Sequence, residues 1–135
     1  MKPIFKTDYS PGYFNAAMLI MRLGFGLVMI HHGYDKFQHF AEYRDRFMNF
    51  LGLSTSISLS LIIFAELVCS VLVALGLFTR LACVVLIIGM VVATNALNWE
   101  VFGHAETSVI YIVGYLTILF AGAGRYSIDA AIFKK

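Results

Sequence analysis

The sequence predicts an all-α protein, a membrane-spanning four-helix bundle with an amphipathic surface helix between helices 1 and 2. Hydrophobic residues make up 60% of the 135-residue chain, and charged residues only 13%. The mean hydropathy of +0.82 lies far from the balance of soluble domains. The length is that of one domain, residues 1–135. A water-soluble domain of this length cannot bury so many apolar residues in its core. The chain must therefore use lipid as a solvent.

Four apolar segments meet or nearly meet the roughly 20 residues that a helix needs to cross a bilayer. They predict spans at residues 16–33, 57–78, 81–97 and 107–122. The first span lacks the small-residue cleavage pattern of a signal peptide, so we interpret it as a retained helix. The second span is the longest and carries Glu66 close to its centre, where an unpaired carboxylate is costly.

Residues 34–53, between the first two spans, predict the amphipathic surface helix. Phe37, Phe40, Phe47 and Leu51 recur at helical spacing, whereas most of the charged residues fall on the opposite side. Such a helix lies at a membrane surface with its apolar side toward lipid.

The C-terminal residues 122–135 predict a break after the fourth span, followed by a short helix that begins at Ser127 or Asp129. Arg125 and Asp129 can lie one turn apart, with Arg80 nearby on the same face of the protein. We interpret these three residues as structural ion pairs that fix the tail to the bundle.

The distribution of lysine and arginine predicts the orientation. With four spans, both termini lie on the same side of the membrane, and the positive-inside rule places them in the cytoplasm because that side collects more Lys and Arg. The terminal side carries Lys2, Lys6, Arg80, Arg125, Lys134 and Lys135, whereas the opposite side carries Lys36, Arg44 and Arg46.

Buried charges define the candidate site. Arg22 and Glu66 are each costly alone in lipid, so we predict that they form a partly buried ion pair. On a helical wheel, Lys36 shares a face with Arg22, and His32 lies on its flank while His31 points nearly opposite. The outer half of the bundle is thus predicted to hold a polar group above Arg22 and Glu66, made of His32, Lys36, Asn95, Asn98, Trp99 and Glu106.

Two of these residues have a second interpretation. Glu106 suits the N-terminus of helix 4, where a carboxylate interacts favourably with the helix dipole. Trp99 is also typical of the aromatic belt at a membrane interface.

Several classes of function are disfavoured. The net charge of +2 and the absence of a Lys/Arg run argue against nucleic acid as a partner. Cys69 and Cys83 lie in apolar runs without metal-ligand spacing, so no metal is predicted. Haem is disfavoured because His31 and His32 are adjacent and point about 100° apart on a helix. No flavin, nucleotide or iron–sulfur motif is present in the sequence.

Three segments resemble the DoxX family of small bacterial membrane proteins: RLGFGLVMIHHGYDKF, AELVCSVLVALGLFTRLACVVLIIGMVVA and GAGRYSIDAAI. The resemblance extends over nearly the whole chain. It implies a multi-pass protein of the bacterial inner membrane with an oxidoreductase role, in some relatives linked to quinones. It also implies functional positions at Arg22, His32, Gly33, Lys36, Glu66, Arg80, Arg125 and Asp129.

The residues and the resemblance together favour a quinone-interacting membrane oxidoreductase subunit that assists thiol, sulfur or quinone redox chemistry. A quinone site needs hydrogen-bond donors and a protonatable group. We expect catalytic roles for Glu66, His32 and Glu106 and ligand contacts from Arg22, Lys36, Asn95, Asn98 and Trp99. The alternatives are a small transporter or binder of a lipid-like ligand, and a structural subunit of a membrane complex. The expected partners are the lipid bilayer, a redox partner protein and further copies of the chain.

Overall fold

The computed structural model describes residue 4 and residues 7–46, 52–96, 100–103 and 105–133, and the regular structure in these ranges is helical. The helices are α1 (Pro11–Gln38), α2 (Phe40–Arg46), α3 (Thr55–Leu75), α4 (Thr79–Ala96), α5 (Glu106–Ala121) and α6 (Ile128–Ile132). The prediction of an all-α chain is therefore confirmed.

Helix α1 is longer than the predicted first span and begins with Pro11, directly after Ser10 at the N-cap. The fixed φ angle of proline suits the first turn of a helix, where its missing N–H is not needed. The buried face of α1 repeats every three or four residues, as one side of a helix does, and consists of Met18, Arg22, Gly26, Met29 and Gly33. This face packs against α3 and α5.

The predicted surface helix is divided in the structure. Residues 34–38 continue α1, and α2 follows after a break at His39. The Tyr43 hydroxyl donates a hydrogen bond to Asp35 Oδ2 at 2.7 Å, which ties α2 to the end of α1. The prediction for residues 47–51 lies outside the described residues.

Helix α3 contains a π-helical turn at Ala65–Cys69. A π turn widens a helix by one residue and occurs frequently at functional sites. The helix begins at an N-cap in which Ser54 Oγ accepts the Ile57 N–H at 3.3 Å. It ends at Gly76, whose φ of 74° lies in the left-handed region that favours glycine.

The four longer helices pack in a closed ring, in which α1 and α4 each contact both α3 and α5. Their inward side chains form a common core that includes Met29, Val73, Leu86, Tyr115 and Ile118. Helices α1 and α3 are long and apolar enough to cross a membrane, whereas α4 and α5 are shorter apolar helices. A bilayer crossing by all four helices stays a prediction.

The two terminal segments meet at one end of this ring. The Arg125 N–H donates to Asn15 Oδ1 at 2.9 Å, and the Asp129 N–H donates to Gly76 O at 2.7 Å. Ser127 is the N-cap of α6, since its Oγ accepts the Ala130 N–H at 3.1 Å. The predicted short C-terminal helix with Ser127 at its start is therefore present.

Candidate functional site

A buried ion pair joins α1 to α3 at the end of the ring opposite the terminal segments. Lys36 Nζ donates to Glu66 Oε1 at 2.5 Å. The Glu66 side chain is only 2% exposed, whereas that of Lys36 is 22% exposed. The second carboxylate oxygen, Glu66 Oε2, is buried and has no hydrogen-bond partner among the described residues. One acceptor of this carboxylate thus remains available to a bound molecule.

The backbone around Glu66 explains how the pair forms. Glu66 is the second residue of the π turn, and Gly33 of α1 packs directly against it. A Cβ atom added at Gly33 would lie 2.9 Å from Glu66 Cβ, closer than real Cβ contacts. Glycine therefore permits the close approach of the two helices. Lys36 follows Gly33 by three residues, on the same face of α1, and so reaches Glu66.

A small cavity of about 90 Å³ adjoins the ion pair. It lies between α1, α3, α4 and the start of α5. Its wall combines charged, polar and apolar side chains, namely Met29, His32, Lys36, Glu66, Met90, Ala93, Thr107, Ser108 and Tyr111. Three of the residues predicted for the site, His32, Lys36 and Glu66, are thus brought together at one cavity.

Aromatic side chains form one side of this cavity. The rings of His32 and Tyr111 have their centroids 5.9 Å apart and are nearly perpendicular, at 89°. Tyr111 also makes an edge contact with Phe25 at 5.6 Å and stacks on Tyr115 at 5.9 Å. These contacts hold the Tyr111 ring at the boundary between the polar cavity and the apolar core.

The predicted Arg22–Glu66 pair is wrong. Arg22 Nη1 donates to Ala74 O at 3.3 Å, and Nη2 donates to Tyr126 O. The α1 residue that packs against Glu66 is Gly33, and the eleven residues from Arg22 to Gly33 span about 16 Å of helix. Glu66 therefore lies at the level of Gly33 rather than that of Arg22, and Lys36 pairs with it in place of the arginine.

Arg22 instead belongs to a second polar cluster, at the end of the ring where the terminal segments meet. Its side chain is 1% exposed and lies against Gly76, where a Cβ atom would collide with Nη1. Both of its hydrogen bonds go to backbone carbonyl groups, and its Nε is buried without a partner among the described residues. The arginine therefore connects the α3 terminus to the C-terminal segment.

Asp129 completes this second cluster as a cap of α4. Its two carboxylate oxygens accept the N–H groups of Phe78, at 2.8 Å, and Thr79, at 2.9 Å. Burial alone would raise the pKa of Asp129, but the hydrogen bonds from Thr79 and Phe78 and the charge of Arg22 outweigh it. The pKa of this carboxyl is therefore held below its ordinary value.

Asp129 was expected to form structural ion pairs with Arg80 and Arg125. In the described part of the chain, neither arginine lies within ion-pair distance of it, so that prediction is corrected. The Arg125 backbone contacts Asn15, and the guanidinium of Arg80 lies beside Gly122. The tail is fixed to the bundle, but by backbone hydrogen bonds and a helix cap.

The remaining predicted site residues lie away from the cavity or outside the described residues. Glu106 is exposed at the first position of α5, where it suits the helix dipole, and Asn95 is exposed near the end of α4. Neither lines the cavity. Asn98 and Trp99 lie outside the described residues.

Sequence reasoning missed Tyr111, Thr107 and Ser108, which α5 contributes to the cavity. Thr107 and Tyr111 are four residues apart and therefore share a helix face, and this spacing is the signal that could have revealed them. The π turn has no comparable signal, because its residues, AELVC, fit an ordinary apolar helix.

No cluster of three or more His, Cys, Asp or Glu side chains suitable for a metal ion occurs within the ranges that the structure describes. The cavity chemistry is instead that of hydrogen bonding. Lysine donates, hydroxyl groups donate or accept, and the carboxylate accepts. A neutral ligand with polar oxygen atoms fits this set of partners.

Comparison with curated proteins and comparison with solved structures both give no match. One protein-family model, DoxX, matches residues 17–99. This match covers more than half of the chain and includes His32, Gly33, Lys36 and Glu66. The chain therefore belongs to the DoxX family.

Proposed function

We propose that this protein is a quinone-interacting subunit of a membrane oxidoreductase, with the quinone head group bound at the cavity beside Glu66. In this proposal α1, α3, α4 and α5 cross the bacterial inner membrane as a four-helix bundle, and both termini lie in the cytoplasm. The observation that carries the proposal is the buried Glu66 carboxylate, which is paired on one oxygen with Lys36 and has its other oxygen unpartnered.

The outer faces of the helices support a membrane location. Large apolar side chains on four different helices are exposed, among them Ile20 at 71%, Phe64 at 52%, Leu81 at 66% and Phe120 at 80%. A surface of this kind is rare on a soluble monomer and is expected where lipid surrounds the protein. Family membership supports the same location.

The chemistry of the cavity suits a quinone head group. Its carbonyl oxygens need hydrogen-bond donors, which the Lys36 ammonium and the Tyr111 hydroxyl provide. His32 can donate or accept at the same cavity. When bound, a quinone supplies two-electron redox chemistry coupled to protons. Glu66 and His32 hold and pass protons beside the ring, and Lys36 keeps the carboxylate in place.

The electrons come from a partner in this proposal. A protein that oxidises a thiol or reduced sulfur compound at the membrane would release two electrons and two protons for each quinone reduced. The chain described here then provides the quinone site and the proton-handling groups. The exposed apolar faces of its helices also provide contact surfaces for such a partner, or for further copies of the chain.

Binding of a short-chain quinone to the purified protein in lipid nanodiscs tests the proposal. We expect Glu66→Gln to weaken binding about tenfold, since loss of the carboxylate lets Lys36 turn toward solvent and removes its charge-assisted hydrogen bond to a quinone carbonyl, which contributes about 1.4 kcal/mol. The matched control is Glu42→Gln, an exposed carboxylate of α2 away from the cavity, which should bind as the parent does. Circular dichroism establishes that each variant is folded.

Two results of this experiment would contradict the proposal. If the folded parent protein does not bind quinone, or if Glu66→Gln and Glu42→Gln bind it equally well, the proposed site is wrong. A transport, lipid-binding or structural role would then be the better interpretation of the cavity.

A further inference from the structure

A long apolar groove runs along the outside of the protein between α1 and α5. Its volume is about 470 Å³, and its walls include Ile20, Gly24, Val28 and Ile110 together with Thr107 and Tyr111. The apolar side chains are open to the surroundings, with Ile20 71%, Val28 53% and Ile110 52% exposed. A Cβ atom at Gly24 would contact nothing within 4 Å, so glycine leaves the floor of the groove open.

This groove adjoins the polar cavity. Thr107 and Tyr111 line both spaces, so these two side chains lie where the cavity and the groove meet. The two spaces differ sharply in chemistry, since the cavity carries Lys36 and Glu66 whereas the groove is almost entirely apolar.

The size of the cavity limits how much of a ligand it can enclose. A cavity of about 150 Å³ is known to hold a benzene molecule. The cavity beside Glu66, at about 90 Å³, is smaller and can enclose only one edge of a six-membered ring. The remainder of a ring bound there, and any substituent on it, must lie in the adjoining groove.

We propose that this groove holds the hydrocarbon tail of the quinone, so that the ligand enters sideways from the bilayer between α1 and α5. The polar edge of the ring then contacts Lys36 and Glu66, and the tail lies over Gly24 and Val28. The inference rests on the proposed function and deepens it, because it specifies a lipid-soluble, long-tailed quinone. A water-soluble quinone without a tail would contact the groove only beside Thr107 and Tyr111 and would gain nothing from Gly24 and Val28.

The chain offers a matched control surface. A second apolar groove of about 240 Å³ lies between α3 and α4 and shares no lining residue with the polar cavity. Ile88 lines this second groove and is 55% exposed, close to the 53% of Val28. A large side chain at either position faces comparable surroundings, but only Val28 borders the proposed tail site.

The test compares a head-only benzoquinone with the same ring carrying a ten-carbon tail, both titrated against protein in nanodiscs. For the parent protein we expect the tail to improve affinity about tenfold or more. Gly24→Leu and Val28→Trp should remove most of this gain and change head-only binding by less than about twofold. Ile88→Trp should keep the full gain. Partition of the tail into lipid is common to all variants and cancels in the comparison.

Two results would overturn the inference, and only the second would also overturn the proposed function. If both quinones bind but Gly24→Leu and Val28→Trp keep the gain from the tail, the groove is an ordinary lipid contact and the tail lies elsewhere, while the proposed function stands. If the parent binds neither quinone, the proposed function fails and the tail site fails with it.

Discussion

Lys36 and Glu66 are unequal partners, because the carboxylate is almost fully buried and the lysine side chain is partly exposed. A long lysine side chain can turn toward water when its partner is removed. A buried carboxylate cannot do so, and losing its cation leaves an unpaired charge in a low-dielectric interior. The two residues should therefore respond differently to substitution.

We expect Lys36→Met to destabilise the protein more than Glu66→Gln. Removing the cation from a buried pair costs about 3 kcal/mol, whereas removing the carboxylate should cost about 1 kcal/mol because Lys36 can reach solvent. Thermal unfolding in detergent, followed by circular dichroism, measures the difference.

The double variant Lys36→Met with Glu66→Leu provides the control. It removes both charges and should recover most of the stability lost in Lys36→Met. Equal losses of stability in the two single variants would contradict the expected difference between Lys36 and Glu66. A double variant no more stable than Lys36→Met would contradict it as well.

Among single residues, the sequence predicted three side chains of the cavity but not which cation pairs with Glu66. Glu66, Lys36 and His32 stand out because charge within an apolar run requires a partner. The choice between Arg22 and Lys36 depends on the relative height of α1 and α3, which is set by the contact between Gly33 and the π turn. Tyr111 could not be distinguished from a core aromatic by residue type alone.

The turn between α3 and α4 shows how one side chain organises an element. Phe78 adopts a φ of 48°, a conformation that costs a non-glycine residue about 1–2 kcal/mol. Asp129 accepts the Phe78 and Thr79 N–H groups and so stabilises both this turn and the free N–H groups at the start of α4. A helix cap is here supplied by a residue 50 positions away in the chain.

This cap predicts a specific dependence on pH. Because its pKa is lowered in the folded protein, Asp129 contributes stability above its unfolded pKa of about 3.9, and that contribution is lost as the pH falls through the lower, folded value. Asp129→Asn should therefore have a lower melting temperature than the parent at pH 7. This difference in melting temperature should decrease below about pH 4. Melting temperatures at pH 7 and pH 3 measure the gap.

Asp8→Asn is the control for this experiment, because Asp8 is an exposed residue before α1. Its stability should follow that of the parent at both pH values. A gap between Asp129→Asn and the parent that persists unchanged at pH 3 would show that the ionised carboxylate is not responsible.

The helices themselves were largely predictable. Spans predicted at residues 81–97 and 107–122 correspond to α4 (Thr79–Ala96) and α5 (Glu106–Ala121). Apolar segment length is a strong signal, since every backbone group in lipid must be satisfied within a helix. The π turn and the Asp129 cap were not predictable, because both depend on contacts between segments that are distant in sequence.

The whole molecule places its two polar clusters at opposite ends of an apolar ring. One cluster surrounds Glu66, and the other surrounds Arg22 near the meeting point of the terminal segments. The apolar side chains exposed between them suit the hydrocarbon region of a bilayer. The proposed topology therefore makes a prediction about which residues are accessible from each side.

Labelling of introduced cysteines with a membrane-impermeant maleimide tests this topology. Phe102→Cys, in the turn before α5, should react in intact cells with the outer membrane permeabilised, because Phe102 is 98% exposed and is proposed to face outward. Tyr9→Cys, at a position that is 76% exposed, should react only after the inner membrane is opened. The native Cys69 and Cys83 are buried and give little background.

The unmodified protein is the control for that background. Labelling of Tyr9→Cys alone in intact cells would invert the orientation. Labelling of both variants from the same side would require an even number of membrane crossings between Tyr9 and Phe102. The four-helix proposal has three there, α1, α3 and α4, so that result would contradict it.

The contact of Arg22 with Tyr126 has a consequence for biogenesis. Arg22 lies in α1, yet one of its backbone partners, Tyr126, is made about a hundred residues later. During synthesis the guanidinium therefore lacks this partner until the segment that carries Tyr126 has been made. Its final burial waits until the segment with Ser127 and Asp129 packs over Gly76, so synthesis of this late segment, rather than formation of α1, commits the bundle to its native packing.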